Sequence, residues 1–284
     1  MAKGFLKNDL VQLEYLTDAL RISALIPTGK SNLLVELPDS FSVSTPYGNF
    51  YFRGGHRLWH APEAMPRTYI PDSPVKVTEL PDGVLLDTET EQGTGIRKQI
   101  QIQLAREKPS IKLTHVLINE GLWPIEFAPW GITQLRLGGT VILPMPVGNV
   151  DTAGLLHNRQ ISLWPYACID DPRLQLDDQF ILFRADPLLP PFKVGYFNSH
   201  GWIAYWLEGV LFRKSFSVQV GPSYPDNNCN AEIYCNDQFV ELESLGPLTK
   251  LSPGESVTHV ETWDLWNGIE SLPVEAQEML RRQA

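Results

Sequence analysis

The densest run of chemically capable side chains is Phe52-Arg53-Gly54-Gly55-His56-Arg57-Leu58-Trp59-His60-Ala61-Pro62-Glu63. Adjacent glycines let a backbone turn sharply or approach a ligand closely. Around them, Arg53, His56, Arg57, Trp59, His60 and Glu63 are groups that grip hydroxyls and stack on flat rings. A strand end carrying mixed solvated charges is the plainer alternative. His56 and His60, with Glu63 three residues on, also have the spacing at which a helix offers two imidazoles to zinc. Pro62 would interrupt that helix, and Arg57 stands where such sites carry their base, so no metal is expected.

A second cluster is Val240-Glu241-Leu242-Glu243-Ser244-Leu245-Gly246-Pro247-Leu248. In a strand, Glu241 and Glu243 share one face while Val240, Leu242 and Ser244 share the other. Carboxylates on one face repel, which raises one of them toward neutrality and suits an acid or base. The alternative is a solvated sheet face. In a third cluster His259, Glu261 and Trp263 share a face, either as a proton relay or as polar cover on an edge strand. His115 alternates with Ile111, Leu113 and Leu117 and reads as a semi-buried, satisfied side chain. His157 falls in a loop and His200 at a tight hairpin. No glycine-rich phosphate loop, nucleophile elbow or paired-cysteine motif is present, so no cofactor is expected.

The elements that must position these groups are strands. Ile100–Leu104 and Ile111–Leu117 alternate cleanly about a polar connection containing Pro109. Val75–Leu80 and Val84–Thr88 flank Pro81-Asp82-Gly83, a turn in which Pro presets φ and Gly accepts a positive one. Further alternating runs include Leu10–Leu16, Gly131–Leu137, Lys193–Phe197, Leu211–Val220, Ala231–Cys235, Phe239–Leu245 and Ser256–Leu265. Short, turn-rich spacing throughout predicts an all-β sandwich or barrel. Only Pro273–Arg282 reads as a helix, with Pro at its start and arginines at its end. No linker stands out, which predicts a single domain over 1–284.

Composition narrows the function classes. Hydrophobic residues make up 43% and charged residues 20%, an ordinary globular balance. A formal charge of −10 argues against nucleic acid as partner. No apolar run is long enough for a membrane span and no leader is apparent at Met1–Leu10. Three cysteines, Cys168, Cys229 and Cys235, suit reduced thiols in a cytoplasmic protein. The eight tryptophans are rich for this length and favour either a bulky core or flat ligands such as sugar rings.

Taken together, Arg53–Glu63, Gly95-Ile96-Arg97-Lys98, Ile161-Ser162-Leu163-Trp164-Pro165, Glu241–Leu248 and Leu251–Ser256 resemble the galactose-mutarotase-like superfamily, and an uncharacterised branch more than the aldose 1-epimerases. The resemblance runs from Leu10 to Trp266. It implies an antiparallel supersandwich that holds a hexose or hexose phosphate. In catalytic members a His protonates the ring oxygen and a Glu deprotonates the anomeric hydroxyl. Carried onto this chain, the late-strand Glu falls on Glu243, with Glu241 the alternative. Arg53, His56 and Arg57 match a segment near the substrate in hexose-6-phosphate epimerases, and Arg97 is similar to a further anion- or hydroxyl-binding arginine. The mid-chain stretch Asn119–Gly131 departs from the pattern: it lacks His and has Trp130 near the expected place. An indole does not titrate near neutrality, so His56 or His60 would have to substitute. Three functions follow as expectations: an isomerase acting at a sugar's anomeric carbon, a sugar-binding or sensing module without turnover, and a structural interaction protein. The sugar's identity and the oligomeric state stay open.

Overall fold

The computed structural model describes residues 2–146, 148 and 150–271. The helix expected over Pro273–Arg282 lies outside them. Two ten-stranded antiparallel sheets pack face to face. The first runs β1 (Lys3–Lys7), β2 (Val11–Leu16), β3 (Arg21–Pro27), β6 (Gly55–Ala61), β11 (Ile125–Leu135), β20 (Val240–Leu245), β19 (Ala231–Cys235), β16 (Phe192–Tyr196), β13 (Ile161–Leu163), with β21 (Thr249–Leu251) also on β11. The second runs β14 (Leu174–Leu176), β15 (Phe180–Arg184), β12 (Thr140–Pro144), β17 (Trp202–Leu207), β18 (Val210–Phe216), β22 (Ser256–Asn267), β10 (Ser110–Asn119), β9 (Ile96–Leu104), β8 (Gly83–Thr88), β7 (Val75–Leu80). A small hairpin, β4 (Ser42–Thr45) and β5 (Gly48–Tyr51), stands apart, and the one helical turn described, α1, is Pro225–Asn228.

Period-two patterning explains the sandwich. On β9 and β10, Ile100, Ile102, Ile111, Leu113 and Leu117 are fully buried between the sheets, while the intervening polar residues face outward. Pro129 lies inside β11 because the strand changes partner there. Ile125–Phe127 pair with β21, and Trp130–Leu135 pair with β20. A proline that donates no ladder bond fits at such a switch.

The strand that matters most, β6, did not read as one. Its seven residues are all buried, so its two faces do not alternate between apolar and polar. The Gly54-Gly55 pair launches it. Both glycines hold positive φ, and a Cβ would meet the Val35 carbonyl oxygen at 2.0 Å or that of Ile22 at 2.1 Å. Their smallness therefore serves close backbone approach between strands. The expectation of an edge strand at Thr258–Trp266 needs correction, because β22 sits centrally between β18 and β10. That pairing brings together segments far apart in the chain, which local patterning does not specify.

Candidate functional site

Four neighbouring strands, β6, β11, β20 and β19, form the floor of a hollow on the face of the first sheet turned away from the second. Register places Arg57, Ile132, Glu243 and Glu232 in one cross-strand row, and Trp59, Trp130 and Leu245 in the next. Side chains in such rows are immediate neighbours. The hollow has a volume of about 390 Å³, within the range of about 300–1,000 Å³ usual for ligand sites. Arg57, Trp59, Glu63, Trp130 and Glu241 all line it, so five of the candidates from sequence converge. Its more open walls are Trp164, Tyr166, Tyr234 and Phe52, contributed by other strands and loops.

The floor is tightly braced. Arg57 donates to Glu241 at 3.0 Å and lies 4.2 Å from the centre of the Trp59 ring. Burial, together with Glu243 on the same face, pushes the Glu241 carboxyl up to about 7 against the pull of Arg57. Trp130 Nε1 donates to Glu243 Oε2 at 2.9 Å. Lys193 reaches the same oxygen at 3.0 Å and Glu232 at 2.8 Å. Its ammonium also sits 5.0 Å from the Trp130 ring centre and 4.6 Å from that of Trp164. Burial pulls that group downward, but the two carboxyls more than reverse the effect and hold Lys193 well above its ordinary value. Burial raises the Glu232 carboxyl well above its usual range despite Lys193. The two directions agree if the buried trio carries one ammonium, one carboxylate and one protonated acid, the state nearest to zero net charge.

The remaining candidates lie elsewhere. Alternation along β6 turns His56 and His60 to the opposite face from Arg57 and Trp59, between the two sheets, where both are fully buried. The same alternation overrides the helical spacing that brought zinc into consideration. Arg53, at a positive φ of 56°, reaches Asp72 at 3.2 Å. Arg97 is on the second sheet, bonded to Asp87 at 2.6 and 2.8 Å and to Glu120 at 3.0 Å. His60 accepts from Arg67 at 2.6 Å and lies 3.8 Å from Glu91. Burial depresses it to about 4.

Behind the floor, His56 belongs to a closed polar network. His115 Nδ1 faces the His259 carbonyl at 3.2 Å and must donate, which leaves its Nε2 to accept from His56 Nε2 at 2.8 Å. His56 Nδ1 then accepts from Thr133 at 2.9 Å, and Thr133 accepts from Lys214 at 3.2 Å. Lys214 also donates to the carbonyls of Gly131 and Leu242 and pairs with Glu261 at 3.0 Å. Ser244 at 2.7 Å and Trp263 at 2.8 Å complete the Glu261 carboxylate, and Ser244 also meets His259 Nε2 at 2.8 Å. Burial draws Lys214 downward, whereas Lys214 outweighs burial at Glu261 and holds it far below the carboxylate range. Contacts to oxygens that can only accept favour the ammonium, so the pair is charged. His56, His115 and Glu261 could by composition ligate a metal, their ligand atoms lying within 4.8 Å of one another. Every one of those atoms already has a partner, and Lys214 supplies the positive charge. Gly131 is required above this network, because a Cβ there would come within 2.1 Å of Glu261 Oε1.

Lys193, Glu232 and Trp164 escaped the sequence reading as site residues. The available signal was a lone charge inside an apolar strand, Phe192-Lys193-Val194 and Ala231-Glu232-Ile233, which demands a buried partner.

An antiparallel β-sandwich with a hollow on the outer face of one sheet is the class this arrangement defines. Neither a family model nor a curated protein sequence matches the chain. Solved structures do match. Slr1438 from Synechocystis sp. PCC 6803 is 14% identical, with 94% of this chain and 96% of that one aligned at a TM-score of 0.60. A protein from Escherichia coli K12, provisionally called an aldose 1-epimerase, is 14% identical over 94% of this chain and 99% of its own, also at 0.60. A galactose mutarotase-like protein from Lactobacillus casei is 9% identical over 93% and 100%, at 0.59. The chain has the galactose-mutarotase-like fold.

Proposed function

We propose that this protein binds a neutral carbohydrate in the hollow and does not catalyse anomer exchange by the His–Glu route. The supporting observation is the convergence of Arg57, Glu63, Trp130, Trp164 and Glu241 on one cavity of about 390 Å³. Aromatic walls stack on the apolar faces of a sugar ring, and carboxyl, amide and phenol groups bond its hydroxyls. Phosphate is disfavoured because acidic groups outnumber cations around the hollow: Lys193 is held by Glu232 and Glu243, and Arg57 is paired with Glu241 through one nitrogen, which leaves its Nε and Nη1 to bond sugar hydroxyls. Turnover of the usual kind needs an acid and a base on either side of the anomeric carbon. None of the six histidines lines the cavity: four are buried between or behind the sheets, and His157 and His200 are exposed away from it. Free thiols at all three cysteines accord with a cytoplasmic setting.

Calorimetry with neutral hexoses and their 6-phosphates tests the reading. Neutral sugars should bind and the phosphates should not. Trp164→Ala, at a half-buried position, should weaken binding roughly fivefold or more, the loss of about 1 kcal/mol of stacking. Polarimetry should show anomer equilibration no faster with the protein than without. If no neutral sugar binds, the proposal fails.

A further inference from the structure

The hollow does not end at its first lobe. A second cavity of about 340 Å³ adjoins it, lined by Glu63, Ala64, Met65, Trp130, Trp164, Lys193 and Asp226. Four of these, Glu63, Trp130, Trp164 and Lys193, line the first lobe as well. The two spaces are thus halves of one cleft that share an indole-rich divide. We infer that the cleft takes a chain of at least two linked neutral sugar units, one in each lobe. This rests on the carbohydrate reading above and goes beyond it in fixing the length of the ligand.

Three features carry the inference. Each lobe alone falls in the size range of a small-molecule site, about 300–1,000 Å³, so a single ring would leave one lobe without a ligand. The divide is held in place: Trp130 is tied to Glu243, and the Lys193 ammonium lies against both indoles while paired to Glu232 and Glu243. A fixed aromatic divide offers successive rings a surface in common. Each lobe also has polar groups of its own for hydroxyls. The first has Arg57–Glu241 and Asn236, and the second has Asp226. Asp226 is aimed there by a turn in which it, Asn227 and Asn228 all hold positive φ, at 52°, 61° and 69°. Asp and Asn are the side-chain-bearing residues that best tolerate that conformation. Glu63, Glu241 and Asp226 outnumber the two cations that line the lobes, Arg57 and Lys193, which disfavours an anionic glycan on charge grounds.

Calorimetry with mono-, di- and trisaccharides of glucose, galactose and N-acetylglucosamine, in α and β linkage, tests the inference. In the series that binds, affinity should rise at least tenfold from one unit to two. Met65→Trp, at a position 60% exposed, places a bulky ring in the second lobe without disturbing the core. It should erase that rise and leave monosaccharide affinity unchanged. Asp226→Asn, which keeps a residue suited to the turn, should reduce the rise severalfold. Monosaccharides that bind as tightly as their oligomers, or a rise that survives Met65→Trp, would overturn the inference while sparing the carbohydrate reading. Failure of every sugar at every length would remove both.

Discussion

Lys193→Met is the most direct test of the floor's electrostatics. In the native chain the ammonium is 2.8 Å from Glu232 and 3.0 Å from Glu243, and neither carboxyl is accessible to solvent. Removing one partner of a buried ion pair costs about 3–5 kcal/mol, since the charge left behind is uncompensated. The lost cation–π contacts add about 0.5–2 kcal/mol, which the methionine sulfur offsets by about 0.3–1.5 kcal/mol at the same indoles. A net loss of about 3–5 kcal/mol is therefore expected at pH 8. The loss should also depend on pH. Without the ammonium, Glu232, already raised by burial, holds its proton more tightly than in the unfolded chain, where a glutamate titrates near about 4.3. The folded form then binds more protons, so stability falls as pH rises. The deficit should be largest at pH 8 and shrink toward pH 5. Urea unfolding of both proteins at several pH values, compared pairwise, cancels the contribution of the histidines. The double variant Lys193→Met/Glu243→Gln should recover most of the loss. A deficit below 1 kcal/mol, or one that is flat with pH, would refute the charged trio.

Two further outcomes follow from the network behind the floor and from the His60 cluster. Lys214→Met should destabilise the fold by about 3–5 kcal/mol in urea, because it orphans Glu261 and two backbone carbonyls; a loss under 1 kcal/mol would mean that Lys214 is not the counter-ion. Acid should unfold the protein in a window set by its histidines. His60 is held at about 4 and His259 at about 3 in the fold, against 6.5 for a free imidazole. The unfolded chain binds more protons below 6.5, so stability falls from there down to the folded values, by about 3 kcal/mol from His60 alone. Glu241, raised to about 7, and Glu232, raised by burial, work the other way and offset this loss, so the His60 contribution is read as the difference from a His60→Asn variant over the same range. A stability difference between the two proteins that is flat from pH 7 to 4.5 would exclude the assignment.

Much of the architecture was legible because most strands have one apolar face. Val75–Leu80 and the position of the Pro-Asp-Gly turn emerged as read, and the same-face placement of Glu241 and Glu243 followed from period two alone. Gly83, expected to take a positive φ, does not; it is needed because a Cβ there would meet the Ile102 carbonyl oxygen at 1.8 Å. β6 escaped because its two faces carry His56 and His60 inward and Arg57 and Trp59 outward, so no hydrophobic alternation marks it. For the same reason, His56 could not be separated from Arg57 by proximity in sequence. One residue of register decides which side chain meets a ligand and which meets the second sheet. Lys193 and Glu232 become partners only through the pairing of β16 with β19, a long-range event without a local signature.

Besides the apolar packing of Leu58, Leu135 and Leu242, the floor strands are held from behind by hydrogen bonds to the second sheet. Thr133 and the Gly131 carbonyl on β11, Ser244 and the Leu242 carbonyl on β20, and His56 on β6 are all fastened to Lys214, Glu261, His115 or His259 of the second sheet. Apolar packing tolerates small slides between sheets, whereas a saturated network of directed bonds in a low-dielectric interior permits one arrangement. Each of those residues is next in sequence to one that faces the hollow: Arg57 follows His56, Ile132 lies between Gly131 and Thr133, and Glu243 lies between Leu242 and Ser244. Fixing the inner residue fixes the outer one through a single peptide unit, which is how a binding surface keeps its side chains in place before a ligand arrives. The polar cluster that a sequence reading takes for a catalytic relay is, in this fold, what positions the residues on the other side of the sheet.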